Sequence, residues 1–454
     1  MKRNIIKDLI AWKNRNRKPL ILKGARQVGK SYIIRYFGEE YFDNIVEINL
    51  EKETGIVELF KNRSIKEGIK LLELKKDIKI TFGKTLLFFD EIQSSPELFP
   101  LLRYFYEEVP NLHIIAAGSL LEFLLENHKF SMPVGRIEYM YLGPMLFDEF
   151  LDGIGKNRLM NYLNDFTFKE NIPNEIHQVL IELYRKYMYL GGMPEIIQNY
   201  ADEKSYYNIE IIKQSIIQTY QDDFVKYKDR IDYLLMTKIY NKLPITVGKK
   251  VKYSSIDSNE RSRKVGEILH LFELAKIIYK VTHTSANGLP LSAETNDKIF
   301  KNVFLDIGLM LSMQGLNYTD IDSLDDEDLI NIGNLSEQFV GQHLLYSLQP
   351  YRKPELHYWV REKANSSAEI DYLISDKGKV IPIEVKSGKT GSLKSLHRFI
   401  NDKHIDFAVR VNSNSPIIEN ITNKLTTGET ISFQLLSIPF YLVFRLRSLI
   451  NLEM

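Results

Sequence analysis

Residues 24–31 read Gly24-Ala25-Arg26-Gln27-Val28-Gly29-Lys30-Ser31, a complete G-x-x-x-x-G-K-[ST] run. It constrains the fold because its job is done by backbone. Successive N–H groups must converge on phosphate oxygens, which needs glycine where φ is positive or space is short. In such a loop the lysine reaches the β- and γ-phosphates and the serine hydroxyl reaches Mg²⁺. A helix must follow, its positive end facing the anion. The context agrees, since Pro19-Leu20-Ile21-Leu22 reads as a strand and Ser31 to Phe37 opens a helix. Gly24, Ala25, Arg26, Gln27, Val28, Gly29, Lys30, Ser31 and Tyr32 are therefore the expected contacts of ATP.

A second run supports the first. Leu86-Leu87-Phe88-Phe89 is apolar enough for a strand buried on both faces, and Asp90-Glu91 stands at its carboxyl end. Open α/β sheets bind ligands at that end. Asp90 is expected to hold Mg²⁺ with Ser31, and Glu91 to orient or deprotonate the attacking water. His113 to Ala117 makes another buried strand, ending in Gly118-Ser119. Ser119 is a candidate sensor of the γ-phosphate or the water, and equally a cap for the helix after it. Gly135-Arg136 precedes a strand at 137–142. An added cation assists phosphoryl transfer. Arg136 is a candidate for that role across a subunit boundary, which would require a homo-oligomer; the alternative is a surface arginine.

With the strand at 44–50, these runs alternate with helical patterns, so the expected fold is α/β: a parallel-sheet P-loop domain over 1–155. Residues 156–315 read as mainly helical. The periodic stretch Glu175 to Leu190 is stopped by Gly191-Gly192 and Pro194. Ser254 to Tyr279 reads as helix, turn, helix, and a hairpin is expected over 281–291 around Asn287-Gly288, the order of a winged helix. Arg261, Arg263 and Lys264 fall near the start of the second helix, with Lys249, Lys250 and Lys252 upstream. A winged helix offers side chains to a DNA groove there; a packing or oligomerisation module is the plainer reading. An acidic connection spans 316–333.

The third module, 334–454, begins with a helix at 335–348 and continues with strands at 355–361, 369–374 and 380–386. A helix at 393–400 and a strand at 407–411 follow, and Phe433 to Leu449 reads as strand plus short helix. Glu384 and Lys386 share one face of their strand. Asp371 can meet them from the preceding strand, and Glu337 can complete a set of carboxylates for Mg²⁺.

Two resemblances follow from these residues. The runs from Gly24 to Ser31, Asp90 to Gln93, Ala117 to Ser119, Gly135-Arg136 and Leu142 to Phe150 resemble prokaryotic AAA+-type ATPases related to archaeal and STAND-like ATPases. The likeness extends through Tyr189 to Glu195, Tyr220 to Tyr227 and Asp306 to Leu309. It departs at Met145-Leu146-Phe147, where Pro-Leu-Ser-Phe is usual, and at Gln221, where relatives commonly have arginine. Asp371 with Glu384-Val385-Lys386 resembles the PD-(D/E)XK nucleases, which implies a restriction-endonuclease-like fold with Asp371, Glu384 and Lys386 in the cleavage site. Such domains also persist as binding modules.

Composition narrows the rest. A net charge of +1 over 454 residues leaves no global basic field, so a DNA partner must be argued from local patches. With no cysteine, disulfides, thiolate metal sites and cysteine nucleophiles are excluded. No apolar run reaches the ~18 residues of a membrane span. The expectation is a cytoplasmic, Mg-dependent ATPase that rearranges a winged-helix and a nuclease-like module, with DNA as partner. Two rivals stand beside it: a STAND-like switch with a protein partner, and an ATP-gated metal-dependent nuclease.

Overall fold

The computed structural model describes residues 1–118, 133–224, 232–257, 260–318, 334–361, 368–386, 392–425 and 428–453. Two compact units result, and each is described by itself. The first contains residues 1–143 with 274–276 and 349–353; the second contains the remainder.

In the first unit the elements are α1 (Ile5–Lys13), β1 (Leu20–Lys23), α2 (Lys30–Tyr41), β2 (Asn44–Asn49), α3 (Ile65–Lys76), β3 (Thr85–Asp90), α4 (Leu98–Glu108), β4 (His113–Ala117) and β5 (Glu138–Tyr141). The strands form a sheet in the order β2-β3-β4-β1-β5. All its neighbours are parallel, as expected of strands that alternate with helices. Alternate strand residues make two buried faces. Ile21, Val46, Ile48, Leu87, Phe89, Ile114 and Ala116 share a core with Ile69 and Leu72 of α3 and Leu102 and Phe105 of α4. Leu20, Leu22, Leu86, Phe88 and Ile115, between them in register, are also buried. Helix α2 packs on β2, β3 and β4 through buried Ile33, Ile34 and Phe37. The first turn of α2 thus starts at the carboxyl end of the interior strand β1, where a phosphate-binding loop belongs.

The second unit opens with helices α5 (Phe147–Gly153), α6 (Asn157–Asp165), α7 (Asn174–Leu190), α8 (Pro194–Glu203), α9 (Tyr206–Asp223), α10 (Tyr233–Lys242), α11 (Tyr253–Ile256) and α12 (Ser262–Leu274). Helix α7 stops at Gly191 (φ 78°), and Pro194 takes the first position of α8. Then come β6 (Ile278–Thr284), β7 (Thr295–Phe304), α13 (Ile307–Met313), α14 (Leu335–Tyr346), β8 (Leu356–Val360), β9 (Glu369–Asp376), β10 (Lys379–Val385), α15 (Lys394–Lys403), β11 (Phe407–Asn412), β12 (Ile417–Lys424), β13 (Thr430–Pro439) and α16 (Leu446–Glu453).

The hairpin differs from its expected form. β6 and β7 are antiparallel, but ten residues separate them, and Asn287-Gly288 lies within that connection. The connection folds on itself: Thr284 Oγ1 donates to Leu291 O at 2.8 Å, and Ser285 N to Glu294 O at 3.2 Å. Pro290 lacks the N–H that a ladder from residue 289 would need. On its other edge β6 pairs with β8, so the hairpin ends an eight-stranded mixed sheet in the order β12-β13-β11-β10-β9-β8-β6-β7. Strand β12 carried no sequence signal, because half of its side chains, Asn420, Thr422, Asn423 and Lys424, are exposed and polar. Helix α15 covers part of the sheet through Leu396, Phe399 and Ile400 against Trp359, Ile370 and Phe433. Helix α14 packs on β7, β8 and β10.

Candidate functional site

The loop 24–31 leaves β1 and enters α2 at Lys30. A Cβ at residue 24 would lie 2.2 Å from the Leu142 carbonyl oxygen, so only glycine passes there. Gly29 has φ 89°, the left-handed turn that brings the chain into the helix. Gln27 is left-handed too, at φ 61°. Ala25 and Val28 are buried beneath the loop, whereas Arg26 and Gln27 are half-buried. Tyr32 is exposed on α2, and its hydroxyl accepts from the Met1 amino group at 2.9 Å.

Lys30 is buried, and its Nζ donates to Gly24 O at 3.0 Å and Ala25 O at 2.7 Å. Burial pulls its pKa down to about 8, against the opposing pull of Glu91 and Asp90. The Ser31 hydroxyl hydrogen-bonds the buried Asp90 carboxylate. Burial raises the Asp90 pKa while that bond works the other way. The loop and the acidic strand, ~60 residues apart in sequence, thus meet through Lys30, Ser31 and Asp90. Glu91 follows in a left-handed conformation (φ 51°, ψ 50°) that turns the chain off the end of β3.

Three supports were not foreseen. Arg3, ahead of α1, is buried; its Nη1 donates to Val28 O at 3.0 Å and its Nη2 to Gly143 O at 2.7 Å. It holds the loop's backbone from behind. Gln93 donates through Nε2 to Glu91 Oε2, and its Oε1 faces Gly118, where a Cβ would stand 2.1 Å away. Arg35 grips Glu47 through Nε and Nη2, both at 2.7 Å, and lies 4.0 Å from Asp90 Oδ2. Only Gln93 had a local signal, its place within Asp90-Glu91-Ile92-Gln93. Arg136 makes an ion pair with Glu107 at 3.0 Å, and Glu107 also takes Arg103. Ser119 lies outside the described residues.

Residues 16–151 match the family profile described as "AAA domain". That stretch, which carries the loop 24–31 and the acidic end of β3, is thus similar to AAA domains. Residues 181–320 and 332–438 match two further families, each described as a domain of unknown function (DUF8612 and DUF4143). No curated protein matches the chain. Among solved structures, a Walker-type ATPase of Pyrococcus abyssi is 18% identical, with 68% of this chain and 94% of that chain covered and a TM-score of 0.43. The RuvB Holliday junction branch migration motor of Thermotoga maritima is 14% identical, with 62% and 90% covered and a TM-score of 0.30. No helix among the described residues is long and apolar enough to cross a membrane.

The residues singled out in the C-terminal module come together as well. In the β9–β10 register Tyr372 faces Ile383, which sets Asp371 beside Glu384. Asp371 Oδ2 accepts the Val385 N–H at 2.8 Å. Lys386 Nζ donates to Glu384 Oε1 at 2.5 Å, while the buried Glu384 Oε2 has no hydrogen-bond partner among the described residues. Glu337 reaches the group from the first turn of α14. A residue no motif pointed to joins them. Lys301 of β7 is buried; its Nζ lies 3.2 Å from Glu337 Oε2 and 3.9 Å from Asp371 Oδ1, and it also contacts Glu369 Oε1. Burial, and secondarily Asp371, pushes Glu337 up to about 8 and Glu384 up to about 7. For Lys301, burial alone would lower the pKa, but Glu337, Asp371 and Glu369 outweigh it and the net shift is upward. Among the described residues, no three His, Asp or Glu side chains are arranged to hold a metal ion.

Proposed function

We propose that the N-terminal unit binds and hydrolyses Mg-ATP, and that turnover drives or times a rearrangement of the helical and C-terminal modules on DNA. The observation that carries the catalytic part is the convergence of Lys30, Ser31 and Asp90 at the carboxyl ends of β1 and β3. Lys30 meets the phosphate charge, and Ser31 and Asp90 hold the metal, whose contribution is to neutralise the charge on the phosphoryl oxygens. Glu91 takes the water's proton, positioned by its turn off β3 and by the donor Gln93. Its neighbour Arg35 is occupied by Glu47, which keeps that cation from capturing Asp90 outright.

The DNA part rests on exposed Lys249, Lys250 and Arg261, set around the approach to α12. Arg263 and Lys264 are there too, each paired with a glutamate at 2.9 and 3.5 Å. Phosphate contacts of this kind make binding fall steeply with salt. In a homo-oligomer Arg136 is the cation offered to a neighbour's nucleotide; its pair with Glu107 is solvent-exposed and therefore cheap to break.

The deciding experiment is ATP turnover with and without double-stranded DNA, on wild type and Glu91→Gln. Turnover that DNA raises, that salt returns to baseline and that Glu91→Gln abolishes supports the whole reading. Turnover indifferent to DNA removes the DNA part and favours a nucleotide-controlled switch with a protein partner. ATP binding that survives Lys30→Ala would remove the catalytic part.

A further inference from the structure

A nuclease of the PD-(D/E)XK kind needs its carboxylates free to bind a divalent metal. Mg²⁺ takes oxygens at about 2.0–2.1 Å in near-octahedral order and keeps several waters. Among the described residues Glu384 Oε2 is unpartnered, but the other oxygens that such a metal would draw on are engaged. The Lys301 ammonium lies 3.2 Å from Glu337 Oε2 and 3.9 Å from Asp371 Oδ1, close to an oxygen of each of two carboxylates that a shared metal would use. Glu369, on β9 with Asp371, also contacts Lys301. Asp371 Oδ2 is committed to the Val385 N–H, and Glu384 Oε1 to Lys386.

Lys301 is not a surface lysine that swings in and out. Its side chain is 3% exposed, its ammonium sits 5.3 Å from the centre of the Tyr358 ring, and its backbone is fixed opposite Val281 in the β6–β7 ladder. A metal entering between Glu337 and Asp371 would face that buried positive charge at short range in a medium that screens poorly. Turning the lysine out would leave Glu337 and Asp371, 19% and 15% exposed, without their cation.

We infer that the Lys301 ammonium is the resident cation of the Glu337–Glu369–Asp371 cluster, that it excludes a divalent metal, and that the C-terminal unit does not cut nucleic acid by a metal-dependent route. The module keeps the nuclease-like carboxylates as an internal ion cluster, and its role is to bind or to relay. This inference is independent of the reading of the P-loop.

The test uses the full chain without nucleotide and Mn²⁺ as the probe, followed by calorimetry and by the electron paramagnetic resonance of free Mn²⁺. Wild type is expected to show no Mn²⁺ binding that Asp371→Asn removes. Lys301→Met is expected to gain a site at least about tenfold tighter, lost again when Asp371→Asn is added. Asp371-dependent binding by wild type overturns the inference, with no need of the lysine variant. A folded Lys301→Met with no new site overturns it too, because Lys301 would then not be what keeps the metal out. If Lys301→Met fails to fold, Lys301→Gln, which retains a polar tip for Glu337, takes its place with the same two outcomes.

Discussion

Gly118→Ala is predicted to slow ATP hydrolysis by acting on a side chain two steps removed from the nucleotide. The new methyl would stand 2.1 Å from Gln93 Oε1 and 3.4 Å from Ile92 Cγ2. The second contact is ordinary packing and the first is impossible. The atom in the way is the tip of a flexible side chain, so Gln93 turns aside and the backbone stays. Among the described residues its Oε1 has no hydrogen-bond partner to lose; its Nε2 gives up Glu91. A hydrogen bond to a charged acceptor contributes about 1.5–3 kcal/mol net. Glu91 and Gln93 are both half-buried, which favours the lower end. About 1.5 kcal/mol of lost positioning corresponds to a roughly tenfold fall in kcat. Steady-state ATPase measures it, with fluorescent-nucleotide titration as the control, and ATP affinity is expected to hold. Gln93→Ala should show the same loss, and the double variant should be no slower than either single one, since both act through one contact. A double variant slower by the product of the two losses refutes this route, as does a Gly118→Ala enzyme of normal kcat.

Other outcomes are expected. Lys30 titrates near 8 in the folded chain and near 10.5 when exposed, so ATP, which needs the ammonium, should bind fully below about pH 8 and weaken by at most tenfold per unit above it. Binding titrations from pH 6.5 to 9.5 check this, and Lys30→Arg should lose the inflection because arginine stays charged. Glu91→Gln should leave ATP binding intact and lower kcat by about 10²–10⁴-fold, the usual worth of a general base; single-turnover assays decide, and a smaller loss would assign the water to another group. Arg3→Met removes two buried, charge-assisted bonds to Val28 O and Gly143 O, so stability should fall by about 2–4 kcal/mol. Weaker ATP binding should accompany the lower apparent Tm, and a variant that melts earlier yet binds ATP normally would show that Arg3 does not shape the loop.

The P-loop unit was legible because each signal is local. Gly24, Gly29, Lys30 and Ser31 are adjacent, and the strand ending in Asp90 is a continuous apolar run. The parallel order of β1 to β5 followed from their alternation with helices. Arg3 and Arg35 carried no such mark: a basic residue near an amphipathic helix reads as a solvated one until its partners are known.

In the C-terminal unit the balance is different. Asp371, Glu384 and Lys386 could be paired from strand periodicity alone, and the register does place Asp371 beside Glu384. What the periodicity could not show is that β6 joins β8, which brings β7, and with it Lys301, into the same sheet. Strand pairing across a long stretch of chain depends on which edges are left to be covered, not on the residues of either strand. The sequence by itself therefore determined where the phosphate-loop pattern lies, since that chemistry is built by consecutive backbone groups. Only the tertiary structure decided which cation stands among the carboxylates, since a charge brought from a distant strand leaves no pattern near the residues it neutralises.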